Sequence, residues 1–260
     1  MQLISQRLRR RTATAGADPL VTYYDLGTGE RTELSAVTVA NWVDKTCHLL
    51  TDEYGLDVGD GVLLDLARTH PGHWVTGCLE LACWALGVTV VVDDGAASGG
   101  TASGGTAFGG TGGEAVRLVV AGPLYATAAE RATVLGAELL ACSLHPLGLP
   151  FAEKLPAGIA DFSLEVRGQP DQFAGPTVSA DLPAWRSVEA TLTQAEVATV
   201  DGTSGRRLLR PSTPWSTARD GIVAALVGGG SVVVVVGDDD AALERVRVTE
   251  NVDDEIGRAG

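Results

Sequence analysis

With 260 residues, 45% of them hydrophobic and 20% charged, the chain can bury a substantial core, which excludes a disordered protein. Its 33 acidic against 19 basic residues leave a net charge of -14. That argues against nucleic acid or an anionic membrane as partner, because both demand a positive footprint. Four cysteines without CxxC spacing, Cys47, Cys78, Cys83 and Cys142, read as reduced core residues of a cytoplasmic protein. The N-terminus lacks the apolar segment of a secretory signal, and no apolar run reaches 18 residues.

In chain order, Arg7, Arg9, Arg10 and Arg11 read as a solvated arm, with a small anion-docking patch as the sharper alternative. Residues 21–34, "VTYYDLGTGERTEL", place strand formers on both sides of Gly27-Thr28-Gly29 and predict a β-hairpin. Ser35 is placed to cap a helix running to about Leu50. "GVLLDL" predicts a buried strand. "HPGHWVTGCLELACWALG" carries Trp74, Cys78, Leu81 and Ala85 at helical spacing, with Val75, Leu79, Ala82 and Leu86 beside them. So broad an apolar surface predicts a helix buried on a sheet and stopped by Gly87. "VTVVVDD" reads as the interior strand of a parallel sheet, which makes residues 61–94 a βαβ unit.

Residues 95–113 lie in a Gly/Ser/Thr/Ala tract that predicts a flexible loop. "AVRLVVAG" predicts a strand, and "YATAAERATVLGAELLACSL" a helix and then a strand. A proline-rich connector covers 145–185, with a short helix near Ile159 to Val166. The earlier grammar then returns: "RRLLRP" as strand, "STPWSTARDGIVAALVGG" as loop and helix, "SVVVVVGDDD" as strand. Pro71 precedes Trp74 and Pro214 precedes Trp215 at the two helix entries, and both units end in aspartates, Asp93-Asp94 and Asp238-Asp239-Asp240. The expected fold is therefore α/β. It has two βαβ-type halves (1–94 and 114–260), mostly parallel sheets flanked by helices, and an N-terminal β-hairpin.

The hairpin "TYYDLGTGERTELS", the helix after it, "GLDVGDGVLLDL", the apolar helix and "ALGVTVVVDD" together resemble the N-terminal part of the adenylate-forming superfamily. That superfamily includes the AMP-forming acyl-CoA synthetases. "SLHPLGLPFAEKLPAGIADFSLEVRGQPDQF" and "LTQAEV" are similar to a short actinobacterial family of uncharacterised proteins related to it. The resemblance covers most of the chain and implies an α/β fold. It also implies a phosphate loop near "DLPAWRSVEATLTQAEV", just before a helix opening at Leu192-Thr193-Gln194-Ala195-Glu196. The glycines, the Ser/Thr run and the lysine of that loop are missing here, while Trp185, Arg186 and Glu189 stand in the region. A triphosphate loop needs glycine for close backbone approach and lysine for charge. Only Lys45 and Lys154 occur, so the superfamily's late catalytic lysine has no counterpart either.

Elsewhere, Asp201-Gly202-Thr203-Ser204-Gly205 looks like a phosphate cradle, but it runs from helix into strand, opposite to the polarity an anion loop requires. It reads as a turn. Arg206 and Arg207 after it, with Trp215 and Ser216 at the second helix entry, are the candidate ligand-binding residues. His70 and His73 lack a third metal ligand at usable spacing, and no Ser nucleophile elbow is spaced correctly. No catalytic residue and no metal are assigned, and ATP or AMP is disfavoured as cofactor. The expectation is a non-catalytic, degenerate relative that binds a small ligand or a protein, with a homo-oligomer as one form. The alternative is an AMP-binding ligase-like enzyme with a noncanonical loop.

Overall fold

The computed structural model describes residues 1–93, 115–188 and 190–257. Helix α1 (Ile4–Ala15) precedes the hairpin of β1 (Pro19–Asp25) and β2 (Glu30–Ser35). Helix α2 (Ala36–His48) runs on into a π-helical turn at Leu49–Glu53. Strand β3 (Gly61–Leu64), helix α3 (Asp65–Thr69), helix α4 (Trp74–Leu86) and strand β4 (Thr89–Val91) follow. Next come β5 (Val116–Ala121), α5 (Ala126–Leu135), β6 (Glu138–Ala141), β7 (Ile159–Asp161), α6 (Phe162–Val166), β8 (Pro183–Arg186), β9 (Thr191–Thr193) and α7 (Gln194–Val197). Strand β10 (Arg206–Leu209) leads to α8 (Pro214–Ala218), a π-helical segment at Arg219–Val223, and α9 (Ala224–Gly228). The described chain closes with β11 (Ser231–Val236), α10 (Asp240–Thr249) and β12 (Asp254–Ile256). The loop expected over 95–113 lies outside the described residues, as do Asp94 and Glu189.

The strands form two sheets. One has the order β12-β10-β11-β1-β2 and the other β7-β6-β5-β3-β4-β8-β9. All pairings are parallel except the hairpins β1–β2 and β8–β9. Both expected βαβ units exist, β3-α4-β4 in the larger sheet and β10-helix-β11 in the smaller. Strands from both ends of the chain share the smaller sheet, because β1 pairs with β11 in the register Val21↔Val232 to Asp25↔Val236.

Local chemistry explains the boundaries. Ser35 accepts a hydrogen bond from the Thr38 N–H and caps α2. Gly87 ends α4 at φ 74°, in the left-handed region glycine enters without a Cβ penalty. Helix α4 is buried on nearly every side, as its all-round apolar surface requires, and touches α2, β1 and β4. It fills the layer between the sheets, and the core runs continuously from Leu20 and Val21 through Leu79 and Trp84 to Val232 and Val234. All four cysteines are free and buried, and burial pushes every thiol up, away from the reactive thiolate.

Two expectations need correction. The N-terminal arginines are not an arm but ride on α1, which Leu3, Ile4 and Leu8 pin into the core, with Arg9 and Arg10 exposed to solvent. Arg7 and Arg11 donate to the Val227 and Gly229 carbonyls at the end of α9, where cations offset the helix dipole. Near Ile159 the chain is first a strand, and its helix begins only at Phe162, where Asp161 accepts from the Ser163 and Leu164 N–H groups.

The Thr203-Ser204-Gly205 stretch is a turn between α7 and β10, as its polarity predicted. Thr203 N–H donates to the Ala224 carbonyl at 3.0 Å, the Gly230 N–H to the Thr203 carbonyl at 2.9 Å, and the Ser231 N–H to the Gly205 carbonyl at 3.0 Å. The turn thus lies backbone to backbone on the end of α9. A Cβ at Gly228 would fall inside van der Waals contact of the Thr203 carbonyl. The Gly228→Ala variant is expected to lose about 2–3 kcal/mol in urea unfolding, the scale of a backbone shift forced by an added methyl group.

Candidate functional site

Ligands in open α/β sheets sit at the carboxyl edges of the strands. Here those edges meet at a junction of the two sheets. The smaller sheet contributes the turn from β10 into α8, and the larger contributes β8 and the turn from α3 into α4. Trp215 at the start of α8 is half-buried, its ring 5.3 Å from that of fully buried Trp185 on β8. Trp84 on α4 donates its indole N–H to the Ala184 carbonyl at 2.8 Å, which fixes β8 against the central helix. Around Trp215 the hydroxyls form a cluster: Ser216 Oγ lies 2.8 Å from both Ser212 Oγ and Thr213 Oγ1. Thr213 caps α8, and Thr217 Oγ1 accepts from the Ser212 N–H at 3.0 Å. Trp215 and Ser216, singled out from the sequence, therefore do stand together at a strand edge.

Arg206 and Arg207 stand elsewhere. Both open β10, at the opposite, amino edge of the smaller sheet. Arg206 pairs with Glu250 and Glu33 and donates to Thr22 Oγ1 at 2.9 Å. Arg207 pairs with Asp254 at 2.9 Å. Tyr24 and Arg31 complete the network around Glu250, which is almost fully buried. Burial alone would raise the Glu250 carboxyl, but hydrogen bonds from Tyr24, Arg206 and Arg31 hold it below the usual carboxylate value.

The region where the superfamily resemblance puts a phosphate loop is a tight hairpin. Strands β8 and β9 pair antiparallel, Trp185 with Leu192 and Arg186 with Thr191. The Ser187 N–H donates to the Ala190 carbonyl at 2.9 Å, and the Ala190 N–H to Ser187 Oγ at 3.3 Å. Helix α7 follows at once and is closed by its own residues. Thr193 Oγ1 accepts from the Glu196 N–H at 3.2 Å, and Glu196 Oε2 accepts from the Thr193 N–H at 2.7 Å. The Glu196 carboxylate, held low by those bonds, sits where an anion would otherwise approach the helix terminus.

Three of the strand-end aspartates have structural partners. Asp93 pairs with Arg131, Asp238 with Arg210 at 3.1 Å, and Asp239 caps α10 by accepting from the Ala242 N–H at 2.9 Å. Among the described residues, no group of three His, Cys, Asp or Glu side chains could hold a metal. His70 Nδ1 lies 3.0 Å from Thr69 Oγ1, while His73 caps α4 by accepting from the Val75 N–H at 3.2 Å. Sequence reading missed Glu80, the only acid in α4. It is buried in the middle of that helix, and burial pushes its carboxyl up to about 8. A lone glutamate inside an otherwise apolar helix was the signal available.

The fold and this junction can be compared with known proteins. No family model matches the chain. A "TIGR03089 family protein" of Mycobacterium tuberculosis (strain ATCC 25618 / H37Rv) is 34% identical over 239 residues, covering 90% of this chain and 89% of that protein. The chain belongs to the TIGR03089 family. Solved structures add a fold likeness to this TIGR03089 chain. A Brucella canis acyl-CoA synthetase superposes over 98% of it with a TM-score of 0.71 at 15% identity. The N-terminal domain of FACL13 from Mycobacterium tuberculosis covers 97% of it, with a TM-score of 0.65 at 16% identity. A fatty acyl CoA synthetase of Mycobacterium tuberculosis covers 96% of it, with a TM-score of 0.64 at 14% identity. The TIGR03089 chain spans 47%, 62% and 48% of those three proteins, respectively. Among the described residues no helix is long and apolar enough to cross a membrane.

Proposed function

We propose that the chain is a non-catalytic, degenerate relative of the AMP-forming acyl-CoA synthetases. It binds a small acyl ligand at the junction beside Trp215 and does not activate it with ATP. The observation that carries this reading is the closed hairpin at Ser187–Ala190. A phosphate loop must offer free N–H groups, glycine and a cation to a triphosphate. Here the Ser187 and Ala190 N–H groups bond across the turn itself, and Glu196 brings a negative charge to the next helix terminus. The half-buried Trp215 face and its neighbouring hydroxyls offer an apolar wall with a polar rim, the composition of a small-molecule site. Four buried, unpaired cysteines fit a reducing, cytoplasmic setting for this reading.

Thermal unfolding with Mg-ATP, AMP, a stable acyl-adenylate mimic, a fatty acid and an acyl-CoA, each separately, tests it. A ligand at a hundred times its Kd adds about 2.7 kcal/mol, a shift of roughly 5–10 °C for a domain near this size. The expected result is a shift with the fatty acid or acyl-CoA and none with Mg-ATP or AMP. A shift of that size with Mg-ATP would restore the ligase-like enzyme with a noncanonical loop.

A further inference from the structure

Behind the junction, between α4 and the smaller sheet, lies a chamber of about 20 Å³. Its lining includes the cap residue His73, Trp74 and Glu80 of α4, Thr217 of α8, and Gly221, where the helix is kinked at φ -91° and ψ -112°. β1 and β11 supply apolar walls through Val21, Val232 and Val234. Kinks of this kind arise at glycines and π-bulges, or where a side chain or a water inserts into the helical hydrogen-bond ladder.

Three polar groups at this chamber lack a partner among the described residues. His73 is buried, and its Nδ1 accepts the Val75 N–H, so the neutral ring keeps its proton on Nε2. That Nε2–H meets no acceptor, and the buried Trp74 indole N–H meets none either. The Glu80 carboxyl, buried in the same wall, has no hydrogen-bond partner. Two donors and one carboxyl around a space above the 10–15 Å³ or so that one water requires satisfy both conditions for a buried water, room and polar partners. Leaving the two donors unmet would cost about 1–3 kcal/mol each.

We infer that the chamber is a binding site for one structural water, which accepts the His73 Nε2–H and donates to the Glu80 carboxyl. The water's partners all belong to α4 and its N-cap, on the side of the central helix that packs against the kinked segment at Gly221. The water also accounts for a histidine and a glutamate facing an otherwise apolar seam. The Trp74 indole N–H is a second donor the same water can accept.

The test is the crystal structure of the protein at neutral pH, together with the Glu80→Gln and Glu80→Leu variants. The expected result is one ordered water within about 3.2 Å of both His73 Nε2 and a Glu80 carboxyl oxygen. Glu80→Gln should keep it, since an amide also donates and accepts, and Glu80→Leu should lose it. A chamber without ordered density would overturn the inference, as would a Glu80 carboxyl turned directly onto His73 Nε2. If Glu80→Leu does not fold, the wild-type and Glu80→Gln structures decide alone.

Discussion

Between pH 5 and pH 8, Glu80→Gln should gain about 4 kcal/mol of stability relative to the wild type. Burial raises the Glu80 carboxyl from its ordinary 4.5 to about 8. The folded protein then keeps a proton that the unfolded chain releases, and stability falls by about 1.4 kcal/mol per pH unit across that window. His73 works in the opposite sense. Burial first, and then the nearby His70, holds it down from 6.5 to about 3, so stability is lost as pH falls through that range. From these two groups alone the wild type should gain stability up to about pH 4.5 and stay level to about 6.5, where the two slopes cancel. It should then lose about 2 kcal/mol by pH 8. Glu80→Gln should keep rising to about pH 6.5 and then stay level. Urea unfolding across pH 4–8.5 reads this directly, below the range where the buried thiols add a loss of the same sign. A wild-type curve parallel to that of Glu80→Gln would mean that Glu80 is ionised in the folded protein.

Arg206→Ala should lose about 2–3 kcal/mol in the same assay while leaving any ligand-induced thermal shift unchanged. The substitution leaves Glu250, 4% exposed, with only Arg31 and Tyr24 to face its charge. Breaking a fully buried pair costs about 3–5 kcal/mol. The lower figure applies because Arg31 still reaches water and partly compensates. Because Glu250 is held below its ordinary value, the stability it confers is present above about pH 4.5 and is lost as pH falls below. A variant of wild-type stability that no longer responds to ligand would instead make Arg206 a ligand contact.

Much of the fold was legible because hydrophobic period and punctuation agreed. The hairpin at Gly27-Thr28-Gly29, the Ser35 cap, the all-round apolar helix ended by Gly87 and the valine strands each carried a local signal that tertiary packing did not overturn. The N-terminal helix was hidden because its arginines outweigh Leu3, Ile4 and Leu8, and only its packing on α2, α4 and α9 shows why it folds. The pairing of β1 with β11 was equally hidden, since register between distant strands leaves no mark in either segment. The junction was half visible. Trp215 and Ser216 stood out by their repeat position, whereas Arg206 is drawn into its network by Glu250, which lies far along the chain. The polarity of the Thr203-Ser204-Gly205 turn, helix into strand, was readable, but its backbone contact with Gly228 and Gly230 was not.

Pyrophosphate exchange into ATP, driven by a panel of fatty and aromatic carboxylic acids, tests the absence of adenylation most directly. The closed Ser187–Ala190 hairpin predicts no exchange above the uncatalysed background with any acid. Exchange that saturates with both ATP and one acid, and that disappears on substitution of Arg186, would contradict the account and make this hairpin a working phosphate site.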